Sequence, residues 1–130
     1  MTGRTAEELG FTPPVPGELA GLESLCRAGL GQYERAAAGA EQAVMLLADA
    51  HLRNRSPYTP DIALHYARRP APDLDAATDA AHRTLAHLPD VRSERLVRSL
   101  RDVAGALQAH RQVPCVADCF DACQAAVPAA

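Results

Sequence analysis

The sequence predicts an all-α protein of about six helices, and three observations support this prediction. Alanine, the strongest helix former, is abundant, while aromatic residues make up only 4% of the 130 residues. Proline and glycine divide the chain into stretches of helix length. Between these breaks, apolar residues recur at spacings of three and four. Six helices with short connectors form either three antiparallel hairpins or a bundle.

The first two helices are predicted from the start of the chain's apolar pattern. Pro16 begins the first helix, and Gly29-Leu30-Gly31 ends it. The second helix is predicted from about Tyr33 to Ala50. The residues expected to face the interior are Leu19, Leu22, Leu25 and Cys26 in the first helix, and Ala36, Ala40, Val44 and Leu47 in the second.

The remaining four helices have clearer boundary signals. Thr59, predicted to cap the third helix, is followed by Pro60. Asp73 or Asp75 begins the fourth helix, which Pro89 ends. Ser93 caps the fifth helix, and Pro114 begins the sixth. The fifth helix carries a predicted buried stripe of Leu96, Leu100, Val103, Leu107 and His110.

Two parts of the chain align without gaps at an offset of 41 residues, 31–49 with 72–90. The alignment pairs small with small and large with large positions, which predicts a stack of repeated hairpins. Gly31, Tyr33, Ala36 and Ala40, with Pro89 at the end of the second segment, resemble a tetratricopeptide repeat. The resemblance implies a tetratricopeptide-like repeat stack over residues 16–130, preceded by an irregular, proline-rich segment at residues 1–15.

A longer stretch, from Glu18 to Phe120, resembles the C-terminal helical-repeat region of actinobacterial helix-turn-helix regulators of the Cro/repressor type. Its most characteristic parts are VRSERLVRSLRDV (91–103) and HRQVP (110–114). The resemblance implies a non-catalytic, regulatory binding module. Such regulators carry an amino-terminal DNA-binding domain that residues 1–17 are too short to form. The chain is therefore expected to be a fragment or a stand-alone relative, without direct DNA binding.

Composition and charge bear on partners and on the cellular compartment. A net charge of −3 argues against nucleic acid as the main partner. All 13 basic residues are arginine, which fits a GC-rich, actinobacterial genome. The sequence has neither an apolar run long enough for a membrane span nor a signal-peptide pattern, so we expect a cytoplasmic protein with free thiols.

A basic cluster around the third helix is the candidate binding site. Spacings of four and three place three of its members on one helix face. Arginine forks suit the carboxylates of a peptide or acidic ligand. The predicted partner is a protein or peptide, or a small ligand, and a homo-oligomer is a further option; a merely solvated cluster is the competing interpretation. The site residues are Arg53, Arg55, Asp61, His65 and Arg68.

A second arginine row lies on the fifth helix, at Arg92, Arg95, Arg98 and Arg101. Its spacing of three favours a solvated face opposite the leucine stripe. An anionic partner surface is the alternative.

Three cysteines at a spacing of four, Cys115, Cys119 and Cys123, allow three interpretations. Core packing is favoured, because buried free cysteine behaves as a small hydrophobe. A metal site would need adjacent cysteines with Cys26 or His110, because Cys115 and Cys123 lie about 12 Å apart along a helix. A redox sensor is the third option. No cofactor or catalytic residue is predicted, and a small helical enzyme or accessory protein of a biosynthetic pathway is a further alternative.

Overall fold

The computed structural model describes residues 16–47 and 56–127, and within these ranges it contains six α-helices and no strand. A short 3₁₀ turn, Ser56–Tyr58, leads into the third helix. The helices are α1 (Pro16–Gly29), α2 (Tyr33–Leu46), α3 (Thr59–Arg68), α4 (Leu74–His87), α5 (Glu94–Gln108) and α6 (Pro114–Ala126). No helix in the described ranges is long and apolar enough to cross a membrane. The all-α prediction is confirmed for this part of the chain, and residues 1–15 and 48–55 lie outside it.

Two of the three predicted capping residues are confirmed, at α4 and α5, and the third, Thr59, is not a cap. The carboxylate of Asp73 accepts a hydrogen bond from the Ala76 N–H at 3.1 Å, and this caps α4. The Ser93 hydroxyl accepts from the N–H of Leu96 in the same way at the start of α5. Thr59, predicted as a cap, is instead the first helical residue and is buried. Because the 3₁₀ turn comes directly before it, the helix begins at Thr59 itself, one residue earlier than the Thr-Pro pattern predicts.

Helix α3 occupies the centre of the helix arrangement. It contacts α2 on one side, pairs with α4, and also packs against α5. The C-terminal helices α5 and α6 contact each other, and α6 also packs against α4. At the other end, α1 packs along α2. Residues from three neighbouring helices therefore surround α3.

The large apolar side chains of the core come mainly from α3, α5 and α6. Ile62, Leu100 and Val116 are completely buried, and each such side chain contributes roughly 1.5–3 kcal/mol through burial. Four members of the predicted stripe on α5, Leu96, Leu100, Val103 and Leu107, are at most 2% exposed, which confirms that prediction. His110 lies beyond the end of α5 and is partly buried.

The predicted interior face of α1 is wrong. Leu19 and Leu22 are 52% and 55% exposed, and Cys26 on the same face is exposed too. The face that packs on its neighbours carries small residues instead: the buried Ser24 lies against α2, and Gly21 lies against Tyr58. Without side chains, glycines let α1 approach its neighbours so closely that the leucines on the opposite face point to solvent.

Candidate functional site

The predicted site residues on α3 do not share one exposed face. Arg68 is exposed and Asp61 is partly buried, whereas His65 is only 2% exposed. His65 is thus an interior residue, because α2 covers the side of α3 on which it lies. It is not the surface contact that the residue spacing predicts. Arg53 and Arg55 lie outside the described residues.

His65 lies at the junction of α2 and α3. Its ring is 6.4 Å, centroid to centroid, from the ring of Tyr33 at the start of α2. Both ring nitrogens are buried without a hydrogen-bond partner. Burial, helped by the nearby Arg68 charge, lowers the pKa of His65 to about 4. The imidazole is therefore neutral at pH 7 and belongs to the packing between the two helices.

The hydroxyl of Tyr58 is affected by charged side chains from three helices. Glu18 comes from α1, Asp61 from the first turn of α3 and Arg95 from the first turn of α5, while Tyr58 is the last residue of the 3₁₀ turn before α3. Their charges interact: Glu18, Arg95 and Asp61 all act on the Tyr58 hydroxyl, and Arg95 also acts on the Asp61 carboxyl. We call these four residues the Tyr58 cluster.

Burial dominates the electrostatics of the Tyr58 cluster. It raises the pKa of Asp61 to about 6, although the positive charge of Arg95 favours the ionised carboxylate. Burial, followed by the Glu18 charge, also raises the pKa of Tyr58. Tyr58 is therefore protonated at neutral pH, while Asp61 changes its charge close to the physiological range.

The Tyr58 ring is seated against α1. A Cβ atom placed on Gly21 would overlap this ring, so the glycine provides the space that the tyrosine fills. Leu22 and Leu25 lie within about one turn of Gly21 and are exposed, Leu25 at 38%. The surface beside the Tyr58 cluster thus combines apolar side chains on α1 with charged ones on α3 and α5.

The predicted arginine row is solvent-exposed, as the favoured interpretation predicts, although Arg92 comes before the start of α5. Arg92, Arg95, Arg98 and Arg101 are all exposed. Arg98 forms a long ion pair with Glu94, 3.9 Å between nitrogen and oxygen, in which both side chains are exposed. Such pairs contribute little to stability. Arg95 differs from Arg98 because its charge reaches Asp61 and Tyr58 on another helix.

Sequence reasoning missed the roles of Glu18, Tyr58 and Arg95 in this cluster. Tyr58 lies just before the predicted third helix, and Arg95 is one of four arginines with the same predicted role. Glu18 belongs to a helix whose buried face the sequence predicts wrongly. No local pattern links three residues so distant in the chain, so only the packing of α1 and α5 against the 3₁₀ turn before α3 brings them together.

The cysteines divide into two kinds. Cys119 and Cys123 are buried in the core, which confirms the packing interpretation for them, whereas Cys115 and Cys26 are exposed. For Cys115 the packing interpretation is wrong, because its side chain faces solvent while the next residue, Val116, is buried. In the described ranges no three or more His, Cys, Asp or Glu side chains come together in a way that would hold a metal ion. The five-residue alternative set of Cys26, His110, Cys115, Cys119 and Cys123 is therefore not assembled as one site.

Comparison of the chain with models of protein families, with curated proteins and with solved structures finds no match. The resemblance to helical-repeat regions of helix-turn-helix regulators therefore rests on the quoted residues and stays a prediction.

Proposed function

We propose that this protein is a non-catalytic helical-repeat binding module with a regulatory role, which binds a protein or peptide on the surface around the Tyr58 cluster. The observation that carries the proposal is that α1 and α5 both contact the 3₁₀ turn that leads into α3, α1 through Gly21 against the Tyr58 ring. In a stack of helical hairpins, the first helices of successive hairpins lie side by side and form an extended binding surface.

The helix contacts are consistent with such a stack. The two C-terminal hairpins would place first helix against first helix and second against second, and α3 does contact α5 while α4 contacts α6. Positions paired by the 41-residue offset also have matching burial. Ala40 and Ala81 are both fully buried, and Leu47 and Leu88 are both 5% exposed. This agreement supports the tetratricopeptide-like arrangement.

The chemistry of the surface indicates a partner with apolar side chains and a carboxylate. Leu22 and Leu25 offer exposed apolar contacts, and exposed leucines grouped on one helix are typical of interaction sites. Arg95 and Arg68 offer guanidinium groups that bind carboxylates through paired hydrogen bonds. An acidic, amphipathic peptide segment fits this surface, because its apolar side chains can pack on the leucines and its carboxylates can bind the arginines.

The charge state of Asp61 adds a pH dependence to this binding. With a pKa of about 6, the carboxyl is largely ionised at pH 7.5 and largely protonated at pH 5. Protonation removes a negative charge next to Arg95, so the cluster becomes more positive. We expect an acidic peptide to bind more tightly at pH 5.5 than at pH 7.5, as long as its own carboxylates remain ionised.

A displayed peptide library, selected against the purified protein, tests the proposal. Peptides that bind should be enriched in apolar and acidic residues, and Arg95→Ala should weaken them by about tenfold, roughly 1.4 kcal/mol. Arg98→Ala is the matched control, since Arg98 lies one turn further along the same helix and is equally exposed. It should leave the affinity unchanged.

Two results would contradict the proposal. The first is a selection that enriches no peptide above background. The second is a set of peptides whose affinity is the same for wild type, Arg95→Ala, Arg68→Ala and Leu22→Ala, because the binding surface would then lie elsewhere. Thermal melts of each variant separate loss of binding from loss of folding.

A further inference from the structure

A groove of about 400 Å³ lies between α5 and α6 and has an apolar floor and a polar rim. The floor residues are at most 8% exposed, and they are Leu100, Ala104, Phe120, Cys123 and Val127. The rim residues are all exposed, and they are Arg101, Gly105, Gln108 and Gln124. The groove shares no residue with the Tyr58 cluster.

Gly105 keeps the α5 wall of this groove low. Glycine inside a helix lowers its stability relative to alanine. At Gly17 and Gly21 the missing side chain makes room for a neighbour, because a Cβ there would overlap Leu47 or Tyr58. A Cβ on Gly105 would have no atom within 4 Å. Packing against a neighbour therefore does not account for this glycine, whereas an open groove does.

The lining combines one positive charge with apolar surface. Among the described residues that line the groove, Arg101 carries the only charge. A guanidinium has five N–H donors, so Arg101 can bind a carboxylate while it keeps another contact. Gln108 and Gln124 add carboxamide donors from the two walls. The Cys123 thiol on the floor behaves as a small apolar group.

We propose that this groove binds a small amphiphilic carboxylic acid, whose apolar body lies on the floor and whose carboxylate contacts Arg101 at the rim. Sites for small ligands are concave and mainly apolar, with a few polar groups that fix the orientation of the ligand. A closed apolar cavity of about 150 Å³ holds benzene, so an open groove of about 400 Å³ fits a body of about ten carbon atoms. The arginine favours an acid over a cationic amphiphile of the same length.

A titration with decanoate, kept below the concentration at which it forms micelles, tests the proposal. Isothermal calorimetry measures stoichiometry and affinity, and amide chemical shifts in the NMR spectrum of the labelled protein locate the site. We expect one decanoate per chain, with the shifts concentrated in α5 and α6. Decyltrimethylammonium, which has the same chain and the opposite charge, should bind at least about tenfold more weakly.

Two variants with matched controls test the floor and the rim separately. Gly105→Leu fills the groove and should weaken decanoate at least about tenfold, since leucine occupies the space of the ligand and suits a helix. Gly29→Leu is its control, because Gly29 also has no atom within 4 Å of a Cβ but lies at the end of α1. Arg101→Gln should weaken decanoate about tenfold and leave decyltrimethylammonium unchanged, whereas Arg98→Gln should leave both unchanged.

Three outcomes would overturn the proposal. The first is decanoate binding that does not saturate at one site, or that shifts the amides of α1 and α2 instead of those of α5 and α6. The second is an affinity for decanoate that is the same for wild type and Gly105→Leu. The third is a dimer in light scattering that Gly105→Leu converts into a monomer, because a second copy of the chain would then occupy the groove. Circular dichroism of each variant shows that the helices are intact.

Discussion

The N-terminal helix pair and the four C-terminal helices pack by different means. Between α1 and α2, small residues such as Ser24 and Gly39 allow close approach, and the leucines of α1 remain exposed. Among α3 to α6, large apolar side chains such as Leu100 and Val116 fill the interior. Leucines at helical spacing therefore indicate burial only where the opposite face of the helix does not pack more closely against its neighbours.

The contact between α1 and α2 is partly polar. The Ser24 hydroxyl donates a hydrogen bond of 2.6 Å to the carbonyl oxygen of Ala36, and both residues are buried. A Cβ on Gly39 would lie only 3.2 Å from the Ser24 side chain, which shows how near the two helices are. Close packing of this kind gains dispersion energy while it buries little apolar area. The leucines of α1 thereby stay exposed.

The largest effect expected from this comparison is the loss of a core side chain. Leu100→Ala removes a completely buried leucine from α5 and should lower the free energy of unfolding by about 2–5 kcal/mol. Urea unfolding followed by circular dichroism measures the change. A loss below about 1 kcal/mol would show that α5 does not lie at the centre of a packed core.

The second prediction concerns the pH dependence of stability at the junction of the two regions. The pKa of His65 is lowered from 6.5 to about 4, so its contribution to stability is lost as pH falls through this range. The pKa of Asp61 is raised from 3.8 to about 6, so its contribution is lost as pH rises from about 4 to about 6. The two residues therefore have opposite effects on the pH dependence of stability between about pH 4 and about pH 6.

Asp61→Asn separates these contributions. At pH 7 the variant should be more stable than wild type, on the order of 2–3 kcal/mol at most, because it no longer has to ionise a buried carboxyl. At pH 4 this advantage should disappear. Denaturant unfolding of both proteins at the two pH values measures the difference, and an advantage that is equal at both would rule out a raised pKa for Asp61.

The third prediction tests the close approach of α1. Gly21→Ala places a methyl group where the Tyr58 ring lies and should cost about 1–3 kcal/mol through overpacking. Gly105→Ala is the control: its Cβ meets no atom within 4 Å, and alanine should stabilise the middle of α5 by about 0.5–1 kcal/mol. If both substitutions stabilise the protein equally, α1 is not seated on Tyr58.

The smallest effect is expected on the exposed face of α1. Leu22→Ala should change the free energy of unfolding by less than about 0.5 kcal/mol, because this leucine is already 55% exposed. The same substitution should weaken a bound peptide. A large loss of stability from Leu22→Ala would instead show that Leu22 faces the interior, as the leucine spacing predicts.

The comparison of α1 with α5 also shows how far sequence reasoning reaches. Both helices carry leucines at helical spacing, and the pattern predicts burial for both. It is right for Leu100 and wrong for Leu22, because the rest of α5 is rich in charged residues whereas α1 also has a face of glycine, alanine and serine. When two faces of a helix can both pack, the neighbouring helices decide which of them is buried.

The six helices of the described ranges and the buried stripe of α5 can be predicted from local features of the sequence. These features are the helix propensity of alanine, the caps at Asp73 and Ser93, and breaks at proline and glycine. The buried face of α1, the interior position of His65 and the effect of Glu18 and Arg95 on Tyr58 depend on tertiary packing. They involve residues far apart in the chain, and the free energy of such contacts depends on how closely whole helices approach, which no local pattern encodes.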